Sequence, residues 1–152
     1  VPSCSGYKYY LIIMDDFSHY TWTFPLRAKS DAPGVLHRFF QFVLTQFRVF
    51  IQCMQCDNGG EFLNSSLCSF LGAHCTSLRL LCPHTSPQNG KAERDIHSTN
   101  DIVRTLLSQA HMPPKFWVEG LHTSTYLPQC LSLTRHPTEH ITLDALWHAP
   151  IL

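Results

Sequence analysis

The sequence predicts a mixed α/β domain whose sheet carries helices on both faces. Three observations lead there. Tyr7–Met14 is apolar at every second position on both sides, as a strand buried on both faces must be. Thr21–Leu26 follows closely and alternates, with Trp22, Phe24 and Leu26 on one side, so the two runs read as an antiparallel hairpin. The later β-type runs are separated by stretches of helical spacing, and strands joined through helices make a mixed sheet covered on both sides.

Taken in order, Asp15, Asp16 and Ser18 mark the hairpin turn. Pro25 removes a ladder donor, which puts it at an edge or a bulge. Ser30 or Asp31 can cap the first helix and Pro33 suits its first turn; Phe39, Phe40, Val43 and Phe47 then recur at helical spacing. Phe50–Cys56 reads as the third strand. It runs into Asp57-Asn58-Gly59-Gly60, a turn signal with two residues free to take positive φ. Ser65–His74 is a short helix burying Leu67, Phe70 and Leu71, and Ser77–Cys82 is the fourth strand. Pro83–Gly90, with two prolines and a glycine, reads as a mobile loop. A longer helix follows, with Ala92, Ile96, Thr99, Val103, Leu106 and Ala110 as its apolar stripe. Pro113 and Pro114 open another, carrying Phe116, Trp117 and Leu121. From Pro128 the pattern weakens. The domain organisation expected is a core over residues 1–127 and a weakly ordered extension of it over 128–152.

Composition bounds the function. Apolar residues make up 44% of 152, enough for one packed core. Lys plus Arg equals Asp plus Glu at 11 each, so this segment lacks the cationic excess behind a strong sequence-independent grip on DNA. Seven irregularly spaced cysteines and no signal peptide disfavour a secreted disulfide framework and favour reduced thiols. No apolar run is long enough to span a bilayer, so no membrane partner is expected.

Two acids stand where chemistry wants them. Asp57 follows the C-terminal end of a buried strand, where open α/β sheets place ligands. Glu93 lies in the first turn of the helix after the proline-rich segment. Carboxylates from separate elements aimed at one point suit hard divalent metals; equally, Asp57 can be a turn residue and Glu93 a favourable acid at a helix start. Lys91 and Arg94 flank Glu93 and can hold phosphates, or form a solvated face balanced by Asp95 and Asp101. Trp22, Trp117 and Tyr126 read as core. Cys53 and Cys56 have C-x-x-C spacing, but residues three apart on a strand diverge and no second pair exists, which disfavours zinc.

The stretch Tyr10-Leu11-Ile12-Ile13-Met14-Asp15-Asp16-Phe17-Ser18-His19-Tyr20-Thr21-Trp22 resembles a strand and turn of copia-type retrotransposon integrases. Cys56-Asp57-Asn58-Gly59-Gly60-Glu61-Phe62 is similar to that family's second catalytic box, and Ser86-Pro87-Gln88-Asn89-Gly90-Lys91-Ala92-Glu93-Arg94 to its third. Thirty-five residues separate Asp57 from Glu93, the separation kept across retroviral-type integrases. Pro113, Phe116 and Trp117 match the next helix.

The resemblance implies a ribonuclease-H-like fold and an Asp, Asp, Glu triad holding two Mg²⁺ or Mn²⁺. It implies transfer of an element DNA 3′-hydroxyl onto a target phosphodiester, with element ends and target DNA as partners, a homo-oligomer as the possible assembly, and a nuclear or cytoplasmic-particle location. By position, Asp57 is the second acid and Glu93 the third, both catalytic and metal-binding; Asn58, Lys91 and Arg94 are the nucleic-acid contacts. The first acid belongs to a strand upstream of Tyr7–Met14, and this chain begins at Val1-Pro2, just past it. The expected sheet therefore lacks its first strand, leaves Tyr7–Met14 without a partner on one side, and forms no competent enzyme alone. Asp15 and Asp16 match a non-catalytic turn. Departures from the family pattern suggest a decayed copy: Arg48-Val49-Phe50 stands for Gly-x-Pro, Cys75 for Gly, His97 for Arg or Lys, and Pro128-Gln129-Cys130 replaces an Asn-Arg-x-Pro segment. The alternative is a pseudogene remnant or a host-retained binding module.

Overall fold

A computed structural model describes residues 1–56, 65–80, 86–131 and 141–148, and of 86–92, 131 and 141–148 the backbone alone. The chain begins with β1 (Tyr9–Asp15) and β2 (Thr21–Leu26), an antiparallel hairpin pairing Tyr9 with Leu26 and Met14 with Thr21. A helix α1 (Ala32–Phe47) leads to β3 (Ile51–Cys56), and α2 (Ser65–Ala73) leads to β4 (Ser77–Leu80), parallel to β3. Two longer helices, α3 (Ser86–Gln109) and α4 (Trp117–Leu131), precede the last strand, β5 (Ile141–His148). The sheet order is β2-β1-β5-β3-β4.

That order corrects one expectation. The strand at Tyr7–Met14 is not left open on one side. The last strand, β5, lies against it, antiparallel from Tyr10↔His148 to Asp15↔Leu143, and runs parallel to β3 from Ile51↔Ile141 to Cys56↔Ala145. Among the described residues from Pro128 on, α4 carries Pro128 inside its last turn and β5 sits in the middle of the sheet. Local pattern missed β5 because Asp and Ala, at its centre, are poor strand formers.

The alternation of β1 divides the core. Leu11 and Ile13 join α1 (Leu36, Phe39, Val43), α2 (Leu67, Leu71) and Met54 and Cys56 of β3 on one face. On the other, Tyr10 and Ile12 pack against Ile96, Val103 and Leu107 of α3 and Trp117, Val118 and Leu121 of α4. The helices therefore cover both faces, as the sequence predicts. Pro25 sits on the edge strand β2, where its missing donor costs nothing.

Several details differ from the sequence reading. Ser86–Gly90, expected in a loop, opens α3, with Pro87 in the first turn. The buried stripe of α3 runs Ile96, Asn100, Val103, Leu107, so Asn100 and Leu107 replace Thr99, Leu106 and Ala110. A polar residue is tolerated there because the Tyr10 hydroxyl donates to Asn100 Oδ1 at 3.2 Å. Asp31 does not cap α1; its carboxylate accepts the Ala28 N–H at 2.9 Å. Tyr126, expected in the core, is exposed. On α4, Gly120 meets α3 so closely that an added Cβ would lie 3.2 Å from Val103 Cγ1.

Three helices end on left-handed residues that are not glycine: Arg48 at φ 57°, Cys75 at φ 52° and His111 at φ 50°. After α2, the Thr76 N–H reaches back to Leu71 O and the Cys75 N–H to Gly72 O; after α3, Met112 and His111 repeat the pattern with Leu107 and Ser108. These are Schellman closures, in which the left-handed position favours glycine. Two of them, Arg48 and Cys75, stand where the resembled family has glycine or a Gly-x-Pro turn.

Two outcomes are expected. Cys75→Gly and Arg48→Gly each raise stability by about 0.5–1 kcal/mol, the relief of a left-handed side chain less the entropy glycine adds to the unfolded chain; urea midpoints measure this, and unchanged midpoints would show the turns unstrained. Burial holds the Tyr10 hydroxyl above its ordinary value of 10.0, against a smaller opposing effect of the Asn100 hydrogen bond. Below pH 10 the phenol is neutral folded and unfolded, and its contribution is intact. Above pH 10 the unfolded chain ionises first, so stability falls as pH rises, at up to about 1.4 kcal/mol per unit. Tyr10→Phe should flatten that alkaline slope in denaturation curves, while costing about 1 kcal/mol near neutrality.

Candidate functional site

Glu93 lies on α3, exposed, three residues before Ile96. It thus prolongs the stripe Ile96–Asn100–Val103–Leu107 by one turn toward the N-terminus, on the side of α3 that faces the sheet. Arg94 is exposed on the same turn, and Lys91 belongs to the same helix. Asp57 and Asn58 lie outside the described residues. What is described is Cys56, the residue before Asp57: it ends β3, is buried, and pairs with Ala145 of β5 and Leu80 of β4. The structure therefore brings Glu93 to the α3 face of the sheet and leaves its distance to Asp57 undefined.

Asp15 is the other carboxylate of interest, being fully buried at the end of β1. By alternation it follows Leu11 and Ile13 onto the α1 face, opposite to α3. Its Oδ2 accepts from the Ser18 N–H at 2.8 Å and from the Ser18 hydroxyl, while its backbone N–H and C=O bond Tyr20 and His19. Ser18 Oγ in turn accepts the Tyr20 N–H at 3.2 Å. This carboxylate ties the hairpin turn and allows His19 its positive φ of 58°. Asp16 is exposed beside it. Asp15 therefore does not share a face with Glu93, and Asp16 lies in the turn beyond the end of β1. Sequence reasoning had no signal for Asn100, a buried polar side chain of α3, because its partner Tyr10 is ninety positions away.

Carboxylates are hard oxygen donors, so Glu93 fits a Mg²⁺ or Mn²⁺ site by chemistry. Among the described residues no three His, Cys, Asp or Glu side chains come together in a group that could hold a metal. Trp22 packs its ring against Tyr20 and Phe39, at centroid distances of 4.7 and 5.1 Å, and Trp117 is buried, so both act as core. No described helix is long and apolar enough to cross a membrane.

No protein-family model matches the chain. The retrovirus-related Pol polyprotein from transposon RE2 of Arabidopsis thaliana is 34% identical over 95% of this chain and 10% of its own length. That from transposon RE1 of the same plant is 32% identical, over 95% and 9%. The Pol polyprotein from transposon TNT 1-94 of Nicotiana tabacum is 29% identical, over 84% and 10%. The chain thus spans about a tenth of the length of the curated relatives it matches. Among solved structures, the simian T-cell lymphotropic virus intasome in complex with PP2A regulatory subunit B56 gamma aligns with a TM-score of 0.66 at 15% identity, over 86% of this chain and 46% of the other. The dimeric HTLV-2 integrase catalytic core domain in complex with magnesium gives 0.61 at 16%, over 88% and 83%. The shared fold is the ribonuclease-H-like fold of integrase catalytic cores.

The two carboxylates should separate cleanly in stability measurements. Asp15→Ala removes a buried acceptor of two Ser18 hydrogen bonds and should cost about 1–3 kcal/mol. Glu93→Gln changes an exposed side chain and should stay within about 0.5 kcal/mol. Urea unfolding of the two variants checks both; a large loss at Glu93 would make it a structural residue.

Proposed function

We propose that this chain, a relative of copia-type retrotransposon Pol polyproteins with the fold of an integrase catalytic core, serves DNA integration by metal-dependent strand transfer. The observation that supports the reading is the order of its boxes along the chain: Asp57 follows β3, an interior strand, in sequence, and Ser86–Arg94 lies at the start of α3. In this reading Asp57 and Glu93 hold Mg²⁺ or Mn²⁺, and the metal supplies charge neutralisation at the attacking and leaving oxygens of a phosphodiester. Asn58, next to Asp57 in sequence, and Lys91 and Arg94 at the start of α3 hold DNA phosphates and position the strands in line. Element ends and target DNA are the partners, a homo-oligomer is the assembly, and the nucleus or a cytoplasmic particle is the location. The relatives' length supports a setting within a larger polyprotein.

These 152 residues match two of the family's three acids. Asp15 is a poor substitute for the other, since alternation along β1 puts it on the face opposite α3 and its Oδ2 accepts from Ser18. Two acids hold a metal pair poorly, so the isolated chain is read as inactive. A second reading, a decayed copy retained as a non-catalytic DNA- or protein-binding module or as a pseudogene remnant, is favoured by the side chains at left-handed Arg48 and Cys75.

The test is a strand-transfer assay on labelled element-end oligonucleotides with Mg²⁺ or Mn²⁺, paired with Mn²⁺ titration. The chain alone should yield no product. Its weak Mn²⁺ binding should fall at least tenfold in Asp57→Asn and Glu93→Gln and stay unchanged in Asp16→Asn. Product that disappears with Asp16→Asn would overturn the assignment of acids; binding indifferent to Asp57 and Glu93 would favour the non-catalytic module.

A further inference from the structure

Basic and acidic residues balance at 11 each over the whole chain, yet the fold does not spread them evenly. Four cations gather where the β1–β2 hairpin opens: Lys8, Arg27, Lys29 and Lys115. Local pairing begins the arrangement. Tyr9 pairs with Leu26, and the Lys8 N–H also donates to Leu26 O at 2.9 Å. Two residues on one side thus meet one on the other, a bulge that turns the chain before it. Tyr7 accordingly packs with the α3–α4 layer, while Tyr9, two positions on, packs with the α1 layer. Each ring carries a cation: Arg27 Cζ lies 5.7 Å from the Tyr7 ring centre, and Lys29 Nζ 5.7 Å from that of Tyr9.

Lys115 arrives from a distant part of the chain, in the single helical turn Pro114–Phe116 before α4. Its carbonyl accepts the Cys4 N–H at 3.0 Å, beside a turn in which Ser3 and Tyr7 bond each other. Its Nζ lies 5.5 Å from the Phe116 ring centre, and Phe116, like Tyr7, packs on the α3–α4 layer. Lys8, Arg27 and Lys115 are exposed, and none of them forms an ion pair among the described residues. The acids nearest to them in sequence are Asp31, which accepts the Ala28 N–H, and Glu119, exposed in the first turn of α4. The cations outnumber them, and their mutual repulsion is relieved when an anion lies among them.

The position in the sheet is informative. β3 runs parallel to β5, and β5 antiparallel to β1, so β3 ends toward the side of the sheet where β1 begins. The cations stand on that side, whereas Asp15 and Asp16 stand at the far end of β1. Open α/β sheets meet their ligands at the carboxyl ends of such strands.

We propose that Lys8, Arg27 and Lys115 form a docking surface for the phosphate backbone of duplex DNA, separate from the contacts assigned above to Asn58, Lys91 and Arg94. Charge complementarity decides the partner. A protein interface has an apolar centre depleted of charge; here the rings of Tyr7, Tyr9 and Phe116 are half-buried and the exposed groups are cations. Nucleic-acid interfaces are polar and positive in that way. The ring contacts restrict the Arg27 and Lys115 side chains beforehand, so less freedom is lost when a phosphate fixes them. Phosphates carry no sequence, so the surface accepts any duplex. Which DNA lies there rests on the strand-transfer reading; that a backbone lies there does not.

The experiment is fluorescence anisotropy of a short labelled duplex of arbitrary sequence with the full chain, in EDTA, over a range of salt. Lys8→Gln, Arg27→Gln and Lys115→Gln should each weaken binding about threefold and lower the salt slope by about one, and the triple variant should bind about thirtyfold more weakly. Arg38→Gln, at an exposed cation of α1, should leave binding unchanged. Urea midpoints should not move; should the triple variant lose its fold, the single variants decide. Mn²⁺ titration of the triple variant should match that of the unsubstituted chain, which separates this surface from Asp57 and Glu93. Duplex binding indifferent to the three substitutions would overturn the surface and leave the strand-transfer reading standing. An equal loss with Arg38→Gln would reduce it to diffuse charge, and tighter binding of polyglutamate than of duplex would point to an acidic protein; either overturns the proposal.

Discussion

Everything in this structure is arranged around one strand that water never reaches. Tyr10 to Met14 of β1 are buried along their whole length, on both faces and between two neighbours. A backbone so enclosed must satisfy each N–H and C=O within the sheet, and its side chains must find an apolar layer on either side. The hairpin with β2 meets half of the backbone requirement, and β5 meets the other half. The two helical layers meet the side-chain requirement, α1 and α2 beneath Leu11 and Ile13, α3 and α4 beneath Tyr10 and Ile12. The position of α3, and so of Glu93, follows from this packing.

A polar contact tolerated in the α3 layer is the Tyr10–Asn100 hydrogen bond. It orients α3 along its axis, since an apolar residue at Asn100 would leave a buried hydroxyl without its acceptor. Glu93 stands two turns nearer the helix start on the same side, beyond the covered stripe. The acid is thereby held at the rim of the sheet without being buried, a position where it can meet a cation without a desolvation penalty of its own. Asp15 shows the opposite arrangement: it is buried on the far face and spends one carboxylate oxygen on Ser18. The same chemical group ties a turn in one place and lies exposed on a helix in the other, and burial and face make the difference.

The left-handed positions connect fold to relatedness. Where the resembled family places glycine, this chain has Cys75 and, within a Gly-x-Pro turn, Arg48, and both adopt the positive φ that glycine adopts without strain. The backbone has kept the turn although the residue suited to it has gone. Identity of about a third with the plant transposon polyproteins, beside a fold shared with integrase catalytic cores, fits a scaffold that tolerates such substitutions one at a time.

Sequence alone determined the fold class, the hairpin at Tyr7–Leu26 and the starts of α1 and α2, and it carries the two acidic boxes as motifs. These are local properties: periodicity of two or 3.6, proline in a first turn, and contiguous motifs whose spacing survives in one dimension. The turn role of Asp15 was legible for the same reason, as its partner lies three residues on. Only the tertiary structure decided that Ile141–His148 fills the place beside β1, that Asn100 is buried in preference to Thr99, and that Tyr126 faces outward. Each of those outcomes rests on contacts between residues far apart in the chain. Strand pairing in particular is a competition for a shared edge, settled by the burial and hydrogen bonding the slot confers on its occupant, so a segment with weak strand propensity of its own can still become the centre of the sheet.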